Sequence, residues 1–180
     1  LIADDNSPDK TYDTALHLRK KFPQLRAICR THNRGLSPAV IDGFQIAEGK
    51  YLAVMDADLQ HDESILPDMF RKLEAGAELV VASRKAEGGG VSDWSRFRRF
   101  ISWGASLMAH LLFPRLPSDP MSGYFALQAS LFQRLSAQIN PRGFKILLEI
   151  VAKAKQIRVA EVGYVFRSRE HGESKLSGAV

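Results

Sequence analysis

One cysteine in 180 residues, Cys29, leaves the chain without any internal disulfide. Cys29 ends the apolar run Leu25-Arg26-Ala27-Ile28-Cys29, so the reading is a buried structural thiol in a reducing compartment. Nor is there a signal peptide or an apolar run of about 18 residues, and no segment of this sequence is expected to span a bilayer. Internal repeats, low-complexity tracts and a second-domain boundary are likewise lacking. The sequence opens at Leu1-Ile2-Ala3-Asp4 without Met, inside what looks like a strand, and stops at Gly178-Ala179-Val180; it reads as a fragment or excised domain, with residues 1–180 forming one domain.

The charge is moderate, +5, but unevenly placed. Arg96, Arg98 and Arg99 lie together, and Arg167, Arg169 and Lys175 cluster near the end. Such patches suit phosphates, an acidic membrane surface or nucleic acid, or are simply a solvated surface. A nucleic-acid reading is the poorest, because aromatic residues do not interleave with a long basic groove.

Along the chain, strands and helices alternate. Leu1-Ile2-Ala3 reads as a strand, Thr11 to Phe22 as a helix, and Leu25 to Cys29 as a strand. Ser37 and Pro38 supply an N-cap and a first-turn proline for a helix to about Ala47. Tyr51 to Met55 is a strand, Ser64 to Ala75 a helix closed by Gly76, and Glu78 to Ser83 a strand. This repetition predicts an α/β fold, a mostly parallel sheet flanked by helices. Gly88-Gly89-Gly90 is too flexible for an element interior, so residues 85–93 are expected to be a mobile loop. Trp94 to Phe113 reads as a helix with a basic start, either in the core or resting on lipid. Beyond it come a strand from Tyr124 to Gln128, helices from Ser130 to Ser136 and Phe144 to Ala154, and a strand from Val159 to Arg169.

The organising stretch is Tyr51-Leu52-Ala53-Val54-Met55-Asp56-Ala57-Asp58-Leu59-Gln60-His61. An apolar run without helical period predicts a buried parallel strand, and Asp56 and Asp58 stand where it leaves the carboxyl edge of the sheet, the edge at which open α/β sheets bind ligands. Side chains two apart in extended backbone point the same way, so Asp56, Asp58 and Gln60 can meet on one hard cation. An EF-hand is excluded: His61 takes its obligatory glycine position and Pro67 its glutamate position. A site with few carboxylates suits Mg2+ or Mn2+ completed by a substrate diphosphate. His61 reads as a surface or outer-shell residue beside the carboxylates.

Other candidates are weaker. Asp4-Asp5-Asn6-Ser7-Pro8-Asp9 suits a ribose or base, or is only an Asx turn. Asn33-Arg34-Gly35-Leu36 suits an anion at a helix N-terminus, or merely leads into that helix. Arg84 follows a strand and faces the same edge. Asp119 and Ser122 suit a turn, and Lys145 and Glu149, four apart, a helical ion pair.

These segments, with Ser83-Arg84, Asp119-Pro120-Met121-Ser122-Gly123-Tyr124-Phe125, Gly143-Phe144-Lys145-Ile146-Leu147-Leu148-Glu149 and Arg169-Glu170-His171-Gly172-Glu173-Ser174-Lys175-Leu176, resemble in order the polyprenyl-phosphate (dolichyl-phosphate) mannose synthases. Those are inverting family-2 glycosyltransferases of the type-A, Rossmann-like fold. The resemblance implies transfer of mannose from a nucleotide diphosphate sugar, GDP-mannose, to a polyprenyl or dolichyl monophosphate. Mn2+ or Mg2+ would sit on Asp56, Asp58 and Gln60. Asp5, Arg34, Asp56, Ala57, Asp58 and Arg84 would hold the donor, and Arg98, Ser102, Arg169 and Lys175 the acceptor phosphate; Asp58, Arg84, Arg169 and Lys175 would be catalytic. Asp119 and Ser122 would lie near the sugar or the acceptor phosphate, and Lys145 and Glu149 next to the sugar. Residues 1–84 would form the nucleotide and metal half and 85–180 the acceptor half. The family's first strand, with a Pro-x-Tyr-Asn-Glu motif, is expected ahead of Leu1. The implied location is the cytosolic face of the plasma membrane or endoplasmic reticulum, with any anchoring segment or subunit outside this chain. Glucose or amino-sugar transfer, and an inactive membrane-associated binding module, are the alternatives.

Overall fold

The structure is a computed structural model that describes residues 1–91, 104, 116–140 and 145–167. By packing, the chain forms two units, Leu1–Leu52 with Gln128–Lys155, and Ala53–Leu127 with Gln156–Val180. This division follows contacts and is distinct from a division by function at residue 84.

In the first unit β1 (Ile2–Asp4) pairs in parallel with β2 (Ala27–Cys29), Ile2 opposite Ala27. Helices α1 (Thr11–Leu18) and α2 (Leu36–Ile46) pack on this pair. Val40, Ile41 and Phe44 form the buried stripe of α2, at the spacing of one helical face. Phe44 meets Phe132 of α4 (Ala129–Leu135) edge to face at 5.2 Å, and α5 (Ile146–Lys153) also packs on α2. The N-cap of α2 is Gly35, at φ 132°, and Ser37 is already inside the helix and buried, so the expected serine cap is displaced by two residues. Cys29 is exposed, against expectation: β2 is only half buried, and the thiol lies 3.7 Å from Asn6 Oδ1.

The second unit is built on a sheet of order β3-β6-β4-β7, with β3 Tyr51–Val54, β4 Leu79–Ser83, β6 Phe125–Gln128 and β7 Val159–Gly163. The middle strand β4 is wholly buried, parallel to β7 and antiparallel to β6. Helix α3 (Leu66–Glu74) covers it with Met69 and Leu73. A Schellman pair closes α3, Gly76 N–H to Leu73 O and Ala77 N–H to Lys72 O. Among the described residues β3 ends the sheet order, with Leu52 buried, Tyr51 and Val54 half-buried and Ala53 exposed, so the strand is less buried than its apolar run predicts. No described helix is long and apolar enough to cross a membrane.

The triglycine also departs from expectation. Gly90–Val91 form a short strand β5, parallel to β8 (Val165–Phe166). A Cβ on Gly163 would fall 2.0 Å from Glu87 O, and one on Gly89 2.6 Å from Ser83 O. The loop after β4 thus crosses β7 backbone on backbone, and glycine is required there by close approach. Gly163→Ala should destabilise the fold by about 3 kcal/mol, the upper end of overpacking costs; urea unfolding checks it, and an unchanged midpoint would contradict the crossing.

Candidate active site

The carboxylate loop begins where β3 stops, at Val54. From Leu52 to Gln60 the even-numbered residues are buried or half-buried and the odd ones from Ala53 to Leu59 exposed, so the alternation of β3 persists past its end until Leu59 turns left-handed at φ 62°. Asp58 Oδ1 accepts the Gln60 N–H at 3.2 Å. Gln60 is pinned by the residue after β8: its carbonyl accepts Arg167 N–H at 2.9 Å, and its Nε2 donates to Arg167 O at 3.0 Å. Arg167 also pairs with Asp62 at 3.3 Å. Hydrogen bonds from the Ser64 hydroxyl and N–H, aided by Arg167, hold the Asp62 carboxyl below its ordinary value despite some burial.

Asp56 has a different support. Its Oδ2 lies 3.5 Å from Nε2 of His61, which is 4% exposed, buried rather than superficial. The other ring nitrogen, Nδ1, bonds the Tyr164 hydroxyl at 2.9 Å. Tyr124, Phe166 and Tyr164 surround the imidazole with ring centroids at 5.2, 5.3 and 5.6 Å. Burial pushes the Tyr164 phenol well above its usual value, so it stays protonated at neutral pH, and pushes Tyr124 up to about 12. The Tyr124 hydroxyl is buried without a hydrogen-bond partner among the described residues. Tyr164, about a hundred positions away in sequence, carried no signal as a partner of His61.

Asp56, Asp58 and Gln60 offer hard oxygen donors, and a Cβ on Gly123 would come within 3.1 Å of Asp56 Oδ2. The missing side chain leaves a cradle around that carboxylate. Among the described residues no three His, Cys, Asp or Glu side chains gather as a closed metal site. A set of hard oxygens this small suits a divalent cation only where other ligands complete its shell.

Arg84 is placed by its backbone at the end of β4, and its guanidinium is engaged. Nε and Nη2 meet Asp119 at 2.6 and 2.7 Å, and the Arg84 N–H donates to the same carboxylate at 3.2 Å. Asp119 is wholly buried. Burial acts to lower the Arg84 pKa, but the hydrogen bonds and charge of Asp119 outweigh it and hold the value above the ordinary one. Ser118 binds Glu161 through its N–H at 2.7 Å and through its hydroxyl, and Ser122 Oγ donates to Ala82 O at 2.7 Å. Asp119 and Ser122 thus anchor their loop.

In the first unit Asp5 is bonded on both oxygens, by Arg30 and by the Gly35 N–H at 2.7 Å. Arg30, missed in the sequence, is buried and also meets Asp42 at 2.7 Å and Asn33 O at 2.6 Å. This network fixes the Asn33–Gly35 turn and leaves Arg34 exposed. Lys145 precedes the first turn of α5, and Glu149 accepts the Asn140 N–H at 3.3 Å. Arg98, Ser102, Arg169, Lys175 and the helix expected over Trp94 to Phe113 lie outside the described residues, Gly104 apart.

Comparison with known proteins gives this arrangement its class. A glucosyl-3-phosphoglycerate synthase from Mycobacterium tuberculosis, solved with Mn2+, UDP-glucose and phosphoglyceric acid, superposes with a TM-score of 0.69 over 97% of this chain and 61% of that one, at 19% identity. The fold is therefore the type-A, Rossmann-like fold of glycosyltransferases. Residues 1–136 match the family model of Glycosyl transferase family 2, and the chain belongs to that family. A dolichol-phosphate mannosyltransferase of Pyrococcus furiosus is 41% identical over 99% of this chain and 50% of its own length. One from Saccharomyces cerevisiae is 42% identical over 100% of this chain and 69% of its own. The chain thus spans about half of the archaeal relative.

Removing one partner of a buried ion pair costs about 3–5 kcal/mol, whereas replacing both by apolar residues is far milder. Asp119→Ala should lower the thermal midpoint sharply, and Arg84→Met with Asp119→Leu should restore much of it; equal losses would show that the pair does not hold the loop.

Proposed function

We propose that the protein transfers mannose from GDP-mannose to a polyprenyl or dolichyl monophosphate, with inversion at the anomeric carbon. The observation that carries this is the 41–42% identity to dolichol-phosphate mannosyltransferases over 99–100% of the chain, since every motif region takes part in the match. The carboxylate pair at the end of β3 agrees with a nucleotide diphosphate donor.

Asp56, Asp58 and Gln60 would hold Mn2+ or Mg2+, which when bound offsets the charge of the donor diphosphate and favours its departure. Asp5 and Arg34, beside the Arg30 network, would face the nucleoside. A phosphate monoester has a second pKa of about 6, so the acceptor is largely dianionic at neutral pH and needs no protein base. Its oxygen forms the bond to the anomeric carbon as the bond to the diphosphate breaks, and the electron pair leaves with the nucleoside diphosphate. One such displacement inverts the centre. Arg98, Ser102, Arg169 and Lys175 would hold the acceptor phosphate, and Arg84, while it keeps Asp119, would contribute on the donor side. Because the acceptor tail stays in lipid, the proposed site of action is the cytosolic face of a membrane, plasma membrane or endoplasmic reticulum, anchored by a segment or subunit beyond this chain.

The direct test is a donor screen of the full-length protein, GDP-mannose against UDP-glucose, with polyprenyl phosphate and Mn2+ or Mg2+. Mannosyl phospholipid from GDP-mannose alone is expected, and exclusive use of UDP-glucose would refute the sugar assignment. Asp58→Ala should abolish transfer, and full turnover would refute the metal role. Arg169→Ala should raise KM for the lipid phosphate at least tenfold more than KM for the donor; equal effects would remove it from the acceptor site.

A further inference from the structure

We propose that His61 is a positioning residue that steadies the Asp56 carboxylate toward a cation, and that the empty space at Gly123 lets the two side chains approach. The inference rests on reading Asp56 as a cation ligand and concerns what sets its geometry. Asp56 needs such help because β3 has ended two residues earlier and the carboxylate is 39% exposed. An unsupported side chain there samples several rotamers, and each cation bound must then select one.

The support is built from the core outward. Tyr124, Tyr164 and Phe166 leave the imidazole little freedom to tilt, and the hydrogen bond to Tyr164 fixes its spin about the Cβ–Cγ axis. A carboxylate facing an unprotonated ring nitrogen would set two acceptors against each other. The tautomer that fits has the proton on Nε2, directed at Asp56 Oδ2, with the Tyr164 hydroxyl donating to Nδ1. From the other side, a Cβ at Gly123 would stand 3.1 Å from Oδ2 and 3.8 Å from Nε2. A side chain there would wedge the two apart. Gly123 is itself held in place by Ser122 Oγ on Ala82 O and by Asp119 on Arg84.

A chemical consequence separates this role from mere packing: a carboxylate oriented in advance would bind a cation without first giving up its rotamer freedom, so loss of His61 should show in cation affinity rather than in the stability of the fold. Partners that orient a metal ligand are commonly worth about 10–100-fold in metal affinity.

The test measures Mn2+ binding to the full-length protein with GDP present, from the paramagnetic resonance signal of free Mn2+, with the melting temperature followed in parallel. His61→Phe, which keeps a ring among the three aromatics, should weaken Mn2+ binding roughly 10–100-fold and leave the melting temperature close to that of the unaltered protein. His61→Gln, whose amide restores an N–H near the Nε2 position, should recover part of the loss. Gly123→Ala, outside the ring cluster, should weaken Mn2+ in the same direction and decides the matter should His61→Phe not fold. Unchanged Mn2+ affinity in these variants, beside a loss in Asp58→Ala, would overturn the inference alone. Absence of Mn2+ binding by the unaltered protein would overturn the metal reading and this inference with it.

Discussion

A guanidinium and a wholly buried carboxylate, Arg84 and Asp119, joined through two hydrogen bonds and a third from the backbone, set the shape of the second unit's functional edge. Taking both charges out of water is costly, and only such bidentate geometry offsets it. Its effect is positional. Within five residues the loop 118–122 is tied to Glu161 on β7 by Ser118, to the end of β4 by Asp119, and to Ala82 by Ser122. The next residue is Gly123, whose lack of a side chain admits the Asp56 carboxylate. The strength of one ion pair thereby reaches the candidate metal edge without touching it.

The segment leaving Arg84 obeys a related constraint. Ser83 Oγ accepts the N–H groups of Lys85 and Ala86 at 3.2 and 3.1 Å and bonds Ser118 Oγ at 2.7 Å, so strand end and loop are stitched together. Beyond them the chain crosses β7 at Gly163 and joins β8 through β5. Composition alone made three glycines look like part of a mobile loop. Glycine has two uses, freedom and thinness, and only the position of the facing backbone tells which applies.

The sequence made the order of strands and helices legible because apolar period and turn chemistry are local properties: β4, α3 and its Gly76 terminus lie within a few residues of where pattern places them. The carboxylates after β3 were legible for the same reason. What pattern could not show were partners far apart in the chain. Arg30 drew no reading from the sequence, yet it is buried between Asp5 and Asp42. Asp119 looked like a ligand-facing loop residue, because its partner is 35 positions away. Tyr164 sits between two short strands, β7 and β8, where one continuous strand was expected, and that break turns its hydroxyl to His61. The exposure of β3 was hidden too, since burial depends on a strand's place in the sheet order and not on its own hydrophobicity.

The engagement of Arg84 bears on how the proposed reaction would distribute charge. Two anionic substrates must approach each other, and a phosphate-holding arginine is most effective when its charge is uncompensated. Arg84 and Asp119 together are neutral, and surrendering Arg84 to a phosphate would strand a fully buried carboxylate, at about 3–5 kcal/mol. Arg84 can therefore serve a phosphate only through donors not spent on Asp119, as an orienting group. Net positive charge toward the acceptor has to come from elsewhere in the chain. Arg167, although paired with Asp62, is half exposed and hydrogen-bonded to Gln60, and Arg169 and Lys175 follow it in sequence. In the proposed reaction the carboxylate loop would need a cation to accept a diphosphate, and Arg169 and Lys175 would supply the charge that the Arg84 pair has already spent on structure.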